Sequence, residues 1–131
     1  MNLVKAIAKR LESKNIAFEH TANHIEVPPS GESGFTVRYD HAHGEHTISF
    51  EGWHEHFVED GEAADCFYFG LLGDSRLKVE YRGDVPIRWT LQALEEGTWE
   101  SDTETGLMFF PFWRKRRIEY LRNTTKTEGS G

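Results

Sequence analysis

The first apolar positions of the chain recur at the spacing of an α-helix. They are Leu3, Val4, Ile7, Ala8 and Leu11. Asn2 precedes them, and asparagine is favoured at the residue that caps a helix N-terminus. Since only one face of this segment is apolar, we predict a helix that lies on a sheet.

Alternation of apolar and polar positions then predicts two hairpins, and therefore four strands, between residues 18 and 51. In the second hairpin, a turn at His43–Gly44 places Tyr39 opposite Ile48. This register puts the apolar side chains on one face and the polar side chains on the other. Such a division is typical of a sheet that is buried on one side.

A second helix is predicted to begin at Glu59 or Asp60 and to end at Gly73. Its second half, CFYFGLL, is apolar nearly all round, which is typical of a buried helix. Cys66 lies within this stretch, and we expect it to be a small buried apolar residue without catalytic activity.

Three further strands and a last helix follow in the pattern. Two strands form a hairpin around Gly83–Asp84–Val85 that pairs Tyr81 with Ile87 and Val79 with Trp89, and the third runs from Leu107 to about Phe112. The basic segment from Arg114 to Arg122 is predicted to be the helix.

These elements predict an α+β fold with a single-layer, curved antiparallel sheet of about seven strands. Their order is one helix, four strands, the buried helix, three strands and the C-terminal helix. We expect residues 1–122 to form one domain and residues 123–131 to form a flexible polar tail.

Composition narrows the classes of partner. The chain has 131 residues, with 15 Lys and Arg against 22 Asp and Glu, for a formal net charge of −7. This charge has the wrong sign for a nucleic-acid partner. One cysteine excludes a disulfide framework and a thiolate-rich zinc site. No apolar run approaches about 18 residues and no signal-peptide core is visible, so we expect a cytoplasmic protein with no membrane partner.

All seven histidines lie between His20 and His56. The string His41-Ala42-His43-Gly44-Glu45-His46 resembles the HxHxDH signature of the metallo-β-lactamase-fold hydrolases. The resemblance implies a metal-dependent hydrolase in which His41 and His43 bind one metal ion, and Glu45 and His46 serve a second. Zinc held by imidazole and carboxylate ligands activates a bound water molecule.

The match to this family covers only those six residues. Glu45 replaces the aspartate of the signature, and no histidine follows His56 to supply the remaining ligands. A different zinc site is therefore also open, with His41 and His46 paired across the hairpin and joined by His43, His54 or His56. The simpler alternative is a hairpin tip whose histidines contact only solvent.

Two further features offer candidate sites. A small-ligand pocket could lie between the buried helix and the sheet, and its predicted lining is Phe67, Trp89, Trp99 and Phe110. The segment LMFFPFWRKRR joins aromatic residues to cations, a combination that can stack nucleic-acid bases. Because the whole chain is acidic, we favour a core strand followed by a cationic helix for this segment.

The absence of a complete catalytic set in the sequence favours a non-catalytic, acidic protein-interaction domain. The order of elements resembles that of secretion-chaperone-like α+β folds, in which similar elements build homodimers. We expect a small chaperone, an adaptor or an immunity-type inhibitor, with a protein partner or a second copy of the chain as its target. A metal-dependent hydrolase or metal-binding protein that uses the histidine hairpin is the alternative.

Overall fold

A computed structural model describes residues 2–123 of the chain. In that part the fold is α+β, with two helices and nine antiparallel strands. The helices are α1 (Leu3–Ser13) and α2 (Asp60–Leu71). Five strands precede α2: β1 (Glu19–Thr21), β2 (His24–Val27), β3 (Val37–Ala42), β4 (Glu45–Phe50) and β5 (Trp53–Phe57). Four follow it: β6 (Ser75–Arg82), β7 (Val85–Glu95), β8 (Thr98–Gly106) and β9 (Arg116–Leu121).

The strands form two sheets, so the prediction of one seven-stranded layer is wrong. Sheet A has the order β1-β2-β3-β4-β5, and sheet B has the order β8-β7-β6-β9. At the seam, β5 meets β8 through side chains: the Trp53 indole N–H donates to the Thr103 hydroxyl at 3.0 Å, and the His54 backbone N–H donates to the Thr105 hydroxyl at 3.2 Å. Side-chain hydroxyl groups of β8 thus take the place of the backbone hydrogen bonds that would have joined β5 and β8 into one sheet.

The core lies between the two helices and both sheets, and sheet B contributes Leu77, Val79 and Leu91 to it. Side chains of Tyr39, Ile48 and Phe50 alternate with exposed or half-exposed residues along β3 and β4, and all three are buried. Tyr39 pairs with Ile48, which confirms the predicted register. Helix α2 packs closely on this face because Gly70 has no side chain, and a Cβ there would collide with the Phe50 ring.

Helix α1 begins where the sequence predicts. The Asn2 side chain accepts a hydrogen bond from the Val4 backbone N–H at 2.8 Å, and the capped helix buries Val4, Ile7, Ala8 and Leu11. Asn15 has a φ of 59°, a left-handed conformation that asparagine tolerates and that ends the helical path.

The third hairpin differs from its prediction in its turn. Val79 pairs with Trp89 as expected, but Tyr81 lies opposite Pro86 and not Ile87. A bulge between Glu80 and Tyr81 shifts the register by one residue, and the turn shortens to Gly83–Asp84. Gly83 supplies the positive φ, 63°, that so tight a turn requires.

The predicted C-terminal helix is wrong, because that segment forms strand β9 on the free edge of β6. Tyr81 pairs with Arg117, whose guanidinium lies 4.1 Å from the Tyr81 ring centroid. Ladder bonds and this cross-strand contact outweigh the helical preference of a short basic segment. The strand predicted from Leu107 to about Phe112 is also wrong: these residues form an irregular loop between β8 and β9.

The end of the described chain is held by Asn123. Its side-chain oxygen accepts from the Phe35 backbone N–H at 3.0 Å, and its amide donates to the carbonyls of Phe35 and Gly70 at 2.9 and 3.0 Å. Of the expected polar tail, residues 124–131 lie outside the described part. Neither described helix is long and apolar enough to span a bilayer.

Candidate functional site

A chain of hydrogen bonds runs through the side chain of His46, which is only 6% exposed. Its Nδ1 lies 2.7 Å from the Tyr39 hydroxyl, and its Nε2 lies 2.7 Å from Oδ1 of Asp60. Burial, followed by the carboxylates of Asp60 and Asp40, raises the pKa of Tyr39 to about 12. The phenol therefore stays protonated at neutral pH and can donate to Nδ1 of His46, while Nε2 of His46 faces the Asp60 carboxylate, which only accepts.

A cleft of about 300 Å³ opens beside these hydrogen bonds, between the N-terminal ends of the two helices. Its described lining residues are Asn2, Leu3, Val4, Ala22, Tyr39, His41, Gly44, His46, Val58 and Asp60. None of them is a serine, cysteine or lysine, so His46 has no such nucleophile to activate there. The two hydrogen bonds of His46 orient its imidazole and stabilise the contact between sheet A and α2.

The histidines of the predicted cluster are divided between two faces of sheet A. His41 lies opposite His46 on the core face, with their rings 5.0 Å apart. His54 and His56 lie on the outer face, with their rings 5.5 Å apart, and His43 occupies the turn. Because alternate residues of a strand point to opposite faces, the sheet separates the two pairs.

Glu45 contacts the outer pair. Its carboxylate lies 3.2 Å from Nδ1 of His56, which also lies 2.9 Å from the Thr47 hydroxyl. Among residues 2–123, no three His, Cys, Asp or Glu side chains are arranged to hold one metal ion. Zinc binding by His41, His43 and His46 stays a prediction, and it requires His46 to give up a bond to Tyr39 or Asp60.

The four aromatic residues predicted to line a ligand pocket lie in different surroundings. Phe67 is fully buried in the core, whereas Trp89 lies against Gly52 at the seam between the sheets. Trp99 stacks on the guanidinium of Arg76, 4.3 Å from its ring centroid, and Phe110 belongs to the loop after β8. The predicted lining is therefore spread over the core, the seam and sheet B.

A cleft of about 360 Å³ does open between α2 and the two sheets, lined by other residues. They are Trp53, Glu55, Phe57, Asp65, Cys66, Phe69, Leu91 and Asp102. Burial, followed by the charges of Glu55 and Asp102, raises the pKa of the Cys66 thiol to about 12. The thiol stays protonated at neutral pH, but Cys66 is half-buried in the lining of this cleft and not fully buried as the sequence predicts.

The largest group of exposed apolar side chains lies in residues 107–113, which we call the aromatic loop. Met108 and Phe109 are each 89% exposed, Phe112 is 70% exposed and Trp113 is 73% exposed. Single exposed apolar residues are common, but four large exposed apolar side chains within six residues are an unusual concentration.

The base of the aromatic loop is fixed to sheet B. The Leu107 N–H donates to the Ile87 carbonyl at 2.8 Å, and the Gly83 N–H donates to the Lys115 carbonyl at 2.7 Å. Sheet B therefore holds both ends of the loop, while the side chains at its tip face solvent.

Cations outnumber carboxylates around this base, although the chain as a whole is acidic. The six cations are Arg82, Arg88, Arg114, Lys115, Arg116 and Arg117, and the four carboxylates are Glu80, Asp84, Glu104 and Glu119. Neither Arg114 nor Lys115 forms an ion pair with any of residues 2–123. We call residues 114–117 the basic segment.

Glu80 connects three strands beneath the loop. Its buried carboxylate lies 3.0 Å from Arg88, 3.2 Å from Arg116 and 3.6 Å from Arg82. Burial alone would raise the pKa of Glu80, but the hydrogen bond from Arg116 and the charges of the three arginines hold it below its usual value. The ionised carboxylate therefore cross-links β6, β7 and β9.

In the sequence, the residues of the aromatic loop indicate a core strand because most of them are apolar. Pro111 was the signal against that assignment, since proline cannot donate a ladder hydrogen bond and is rare in central strands. The contact between Tyr39 and His46 follows from the predicted register, which puts both on the core face. No sequence pattern identified Asp60 as the other partner of His46.

The chain was compared with models of protein families, with curated proteins and with solved structures, and no match was found in any of the three comparisons.

Proposed function

We propose that this protein is a non-catalytic interaction domain that docks to its partner through the aromatic loop. The observation that carries the proposal is the exposure of four large apolar side chains, Met108, Phe109, Phe112 and Trp113, on one short loop. Leaving such a patch in water is unfavourable, and its burial against a partner would be driven by the hydrophobic effect.

The anchoring of the loop supports this role. Its two ends are hydrogen-bonded to sheet B, and the Glu80 cross-link holds the neighbouring strands together. Because the base of the loop is fixed, docking causes a smaller loss of conformational entropy. The exposed side chains are already held in position before a partner binds. A small chaperone, an adaptor or an immunity-type inhibitor would need such a presented surface, as would a domain that binds a lipid surface.

The chemistry of the described clefts supports binding more than catalysis. The Cys66 thiol is kept protonated by its raised pKa, and both ring nitrogens of His46 are engaged. A protein partner and a second copy of the chain remain proposals for what the loop contacts.

The docking role is tested by in-cell crosslinking followed by recovery of the chain, with the membrane fraction retained. We compare the parent with the double variant Phe109→Ser and Trp113→Ser. Val58→Ser is the matched control because Val58 is also an exposed apolar residue, at 82%, and lies outside the loop. We expect the parent and the control to be recovered either with a crosslinked partner or in the membrane fraction, and the double variant to lose that association. Equal recovery from all three proteins would contradict docking through the loop.

A further inference from the structure

We propose that the surface on which the aromatic loop docks is an anionic lipid bilayer. In this arrangement the apolar side chains of the loop enter the boundary between headgroups and acyl chains, and the basic segment lies on the lipid phosphates. This inference rests on the proposed docking function and names its target.

The loop has the amphipathic order that an interfacial element requires. Met108 and Phe109 form its most exposed part, Phe112 and Trp113 follow, and Arg114 and Lys115 come next. Apolar side chains bury about 5–10 Å into the headgroup and acyl boundary, with Lys and Arg on the polar side. Tryptophan is enriched at this depth because its ring is amphipathic.

Two backbone donors of the loop, at Phe112 and Arg114, are paired within the loop itself. The Phe112 N–H donates to the Phe110 carbonyl at 2.8 Å, the Arg114 N–H donates to the Pro111 carbonyl at 3.0 Å, and Pro111 has no N–H group. An unsatisfied backbone donor is costly away from water. Satisfying these donors within the loop lowers the cost of moving it into the headgroup region.

The exposed part of the loop supplies the apolar area that insertion needs. Large aromatic side chains have about 150–250 Å² of surface each, so Phe109, Phe112 and Trp113 expose roughly 400–500 Å² together. A protein interface of about 800 Å² per partner contains a similar apolar area. The choice of lipid therefore rests on the amphipathic order of the loop and on the cations beside it.

The charge around the loop is complementary to an anionic surface. Arg114 and Lys115 have no ion-pair partner among residues 2–123, so their charges are available to lipid phosphates. Basic residues next to an inserted segment strengthen binding to anionic lipids within about a Debye length of the surface. Single-stranded nucleic acid needs a charged groove that follows its backbone, and a projecting tip on a chain of net charge −7 offers less of one.

Vesicle co-sedimentation of the full chain tests the proposal, with phosphatidylcholine vesicles that contain or lack phosphatidylserine. We expect binding to the vesicles with phosphatidylserine. Phe109→Ser should weaken it at least about tenfold, because burying a phenylalanine side chain is worth more than the free energy of one factor of ten. Arg114→Gln with Lys115→Gln should weaken it by about thirtyfold.

Control variants, thermal midpoints and a fluorescence measurement show whether binding occurs through the loop. Val58→Ser and the double variant Lys5→Gln and Lys9→Gln alter exposed positions outside the loop and should leave binding unchanged. Unchanged thermal midpoints would show that every variant is folded. Bromine-labelled lipid should quench the fluorescence of the parent and leave that of Trp113→Tyr unquenched.

Either of two outcomes would overturn the lipid assignment: no binding to vesicles with phosphatidylserine, or binding that survives Phe109→Ser. If crosslinked partners are still lost with the loop variant, docking stands and its target is a protein. A concentration-dependent dimer that Phe109→Ser abolishes would make the target a second copy. Retention of a single-stranded oligonucleotide in place of vesicles would make it a nucleic acid.

Discussion

At the residue scale, the buried His46 side chain is the polar group on which the contact between sheet A and α2 most depends. Replacing it with alanine removes both hydrogen bonds of the ring, leaves the Tyr39 hydroxyl unpaired and opens a cavity. We expect His46→Ala to lower the free energy of unfolding by about 2–3 kcal/mol. Urea unfolding at neutral pH measures the change.

The control for this variant is His41→Ala, at the residue that faces His46 across the hairpin. His41 is exposed, so its removal should change the free energy of unfolding by no more than about 0.5 kcal/mol. Equal losses from the two variants would mean that the bonds to Tyr39 and Asp60 contribute nothing to stability.

At the element scale, pairing registers were predictable wherever one face of a hairpin is buried. Tyr39 pairs with Ile48 and Val79 with Trp89, as the sequence predicts, because a slip of one residue would expose every apolar side chain. The seam between the sheets was not predictable. It depends on hydroxyl groups such as that of Thr103, which leave no mark in an apolar pattern.

The last elements show how tertiary contacts override local preference. The segment from Arg116 to Leu121 has too many charged residues to be identified as a strand by apolar alternation. It becomes one because the edge of β6 offers ladder bonds and Tyr81 offers a ring for Arg117. The aromatic loop is the converse case, since its apolar composition suggests a core strand although four of its large apolar side chains are exposed.

The cross-link between β6, β7 and β9 predicts a specific dependence of stability on pH. The pKa of Glu80 is lowered in the folded protein from its ordinary value of 4.5. Its contribution is therefore fully present above that value and is lost as pH falls through the folded pKa. We expect Glu80→Gln to cost about 2 kcal/mol at about pH 7, because the arginines lose their shared carboxylate.

The difference between Glu80→Gln and the parent should narrow when the pH falls from about 7 to below 4.5, because the unfolded parent then binds a proton that the folded protein, with its lowered pKa, resists. Urea unfolding at both pH values measures it. Glu119→Gln is the control: this carboxylate is exposed on β9 and pairs with Arg117 alone, so its loss should cost no more than about 0.5 kcal/mol. A cost for Glu80→Gln that is independent of pH would exclude the ionised cross-link.

At the scale of the whole molecule, charge is distributed unevenly. The chain carries a net charge of −7, yet cations outnumber carboxylates around the base of the aromatic loop. An anionic surface that attracts this end repels the acidic remainder. The loop would therefore approach first, and the opposite charges of the two regions would set the orientation of the bound domain.

Thermal unfolding of the whole chain tests the zinc hypothesis at the histidine hairpin. A ligand present at a hundred times its dissociation constant stabilises the native state by about 2.7 kcal/mol, which raises Tm by roughly 10 °C for a domain of this size. We expect no such rise after chelator treatment and zinc addition. Ligation by His46 would break its bond to Tyr39 or Asp60, and the sheet separates His41 from His54 and His56.

The informative control for zinc is the double variant His41→Ala and His43→Ala, which removes two of the proposed ligands and keeps the His46 hydrogen bonds. The triple variant with His46→Ala also loses those bonds, so its lower Tm would reflect packing as well as metal binding. A zinc-dependent rise in the parent that the double variant lacks would establish a metal site. It would also require the hairpin to rearrange, because the described residues offer no ready group of three ligands.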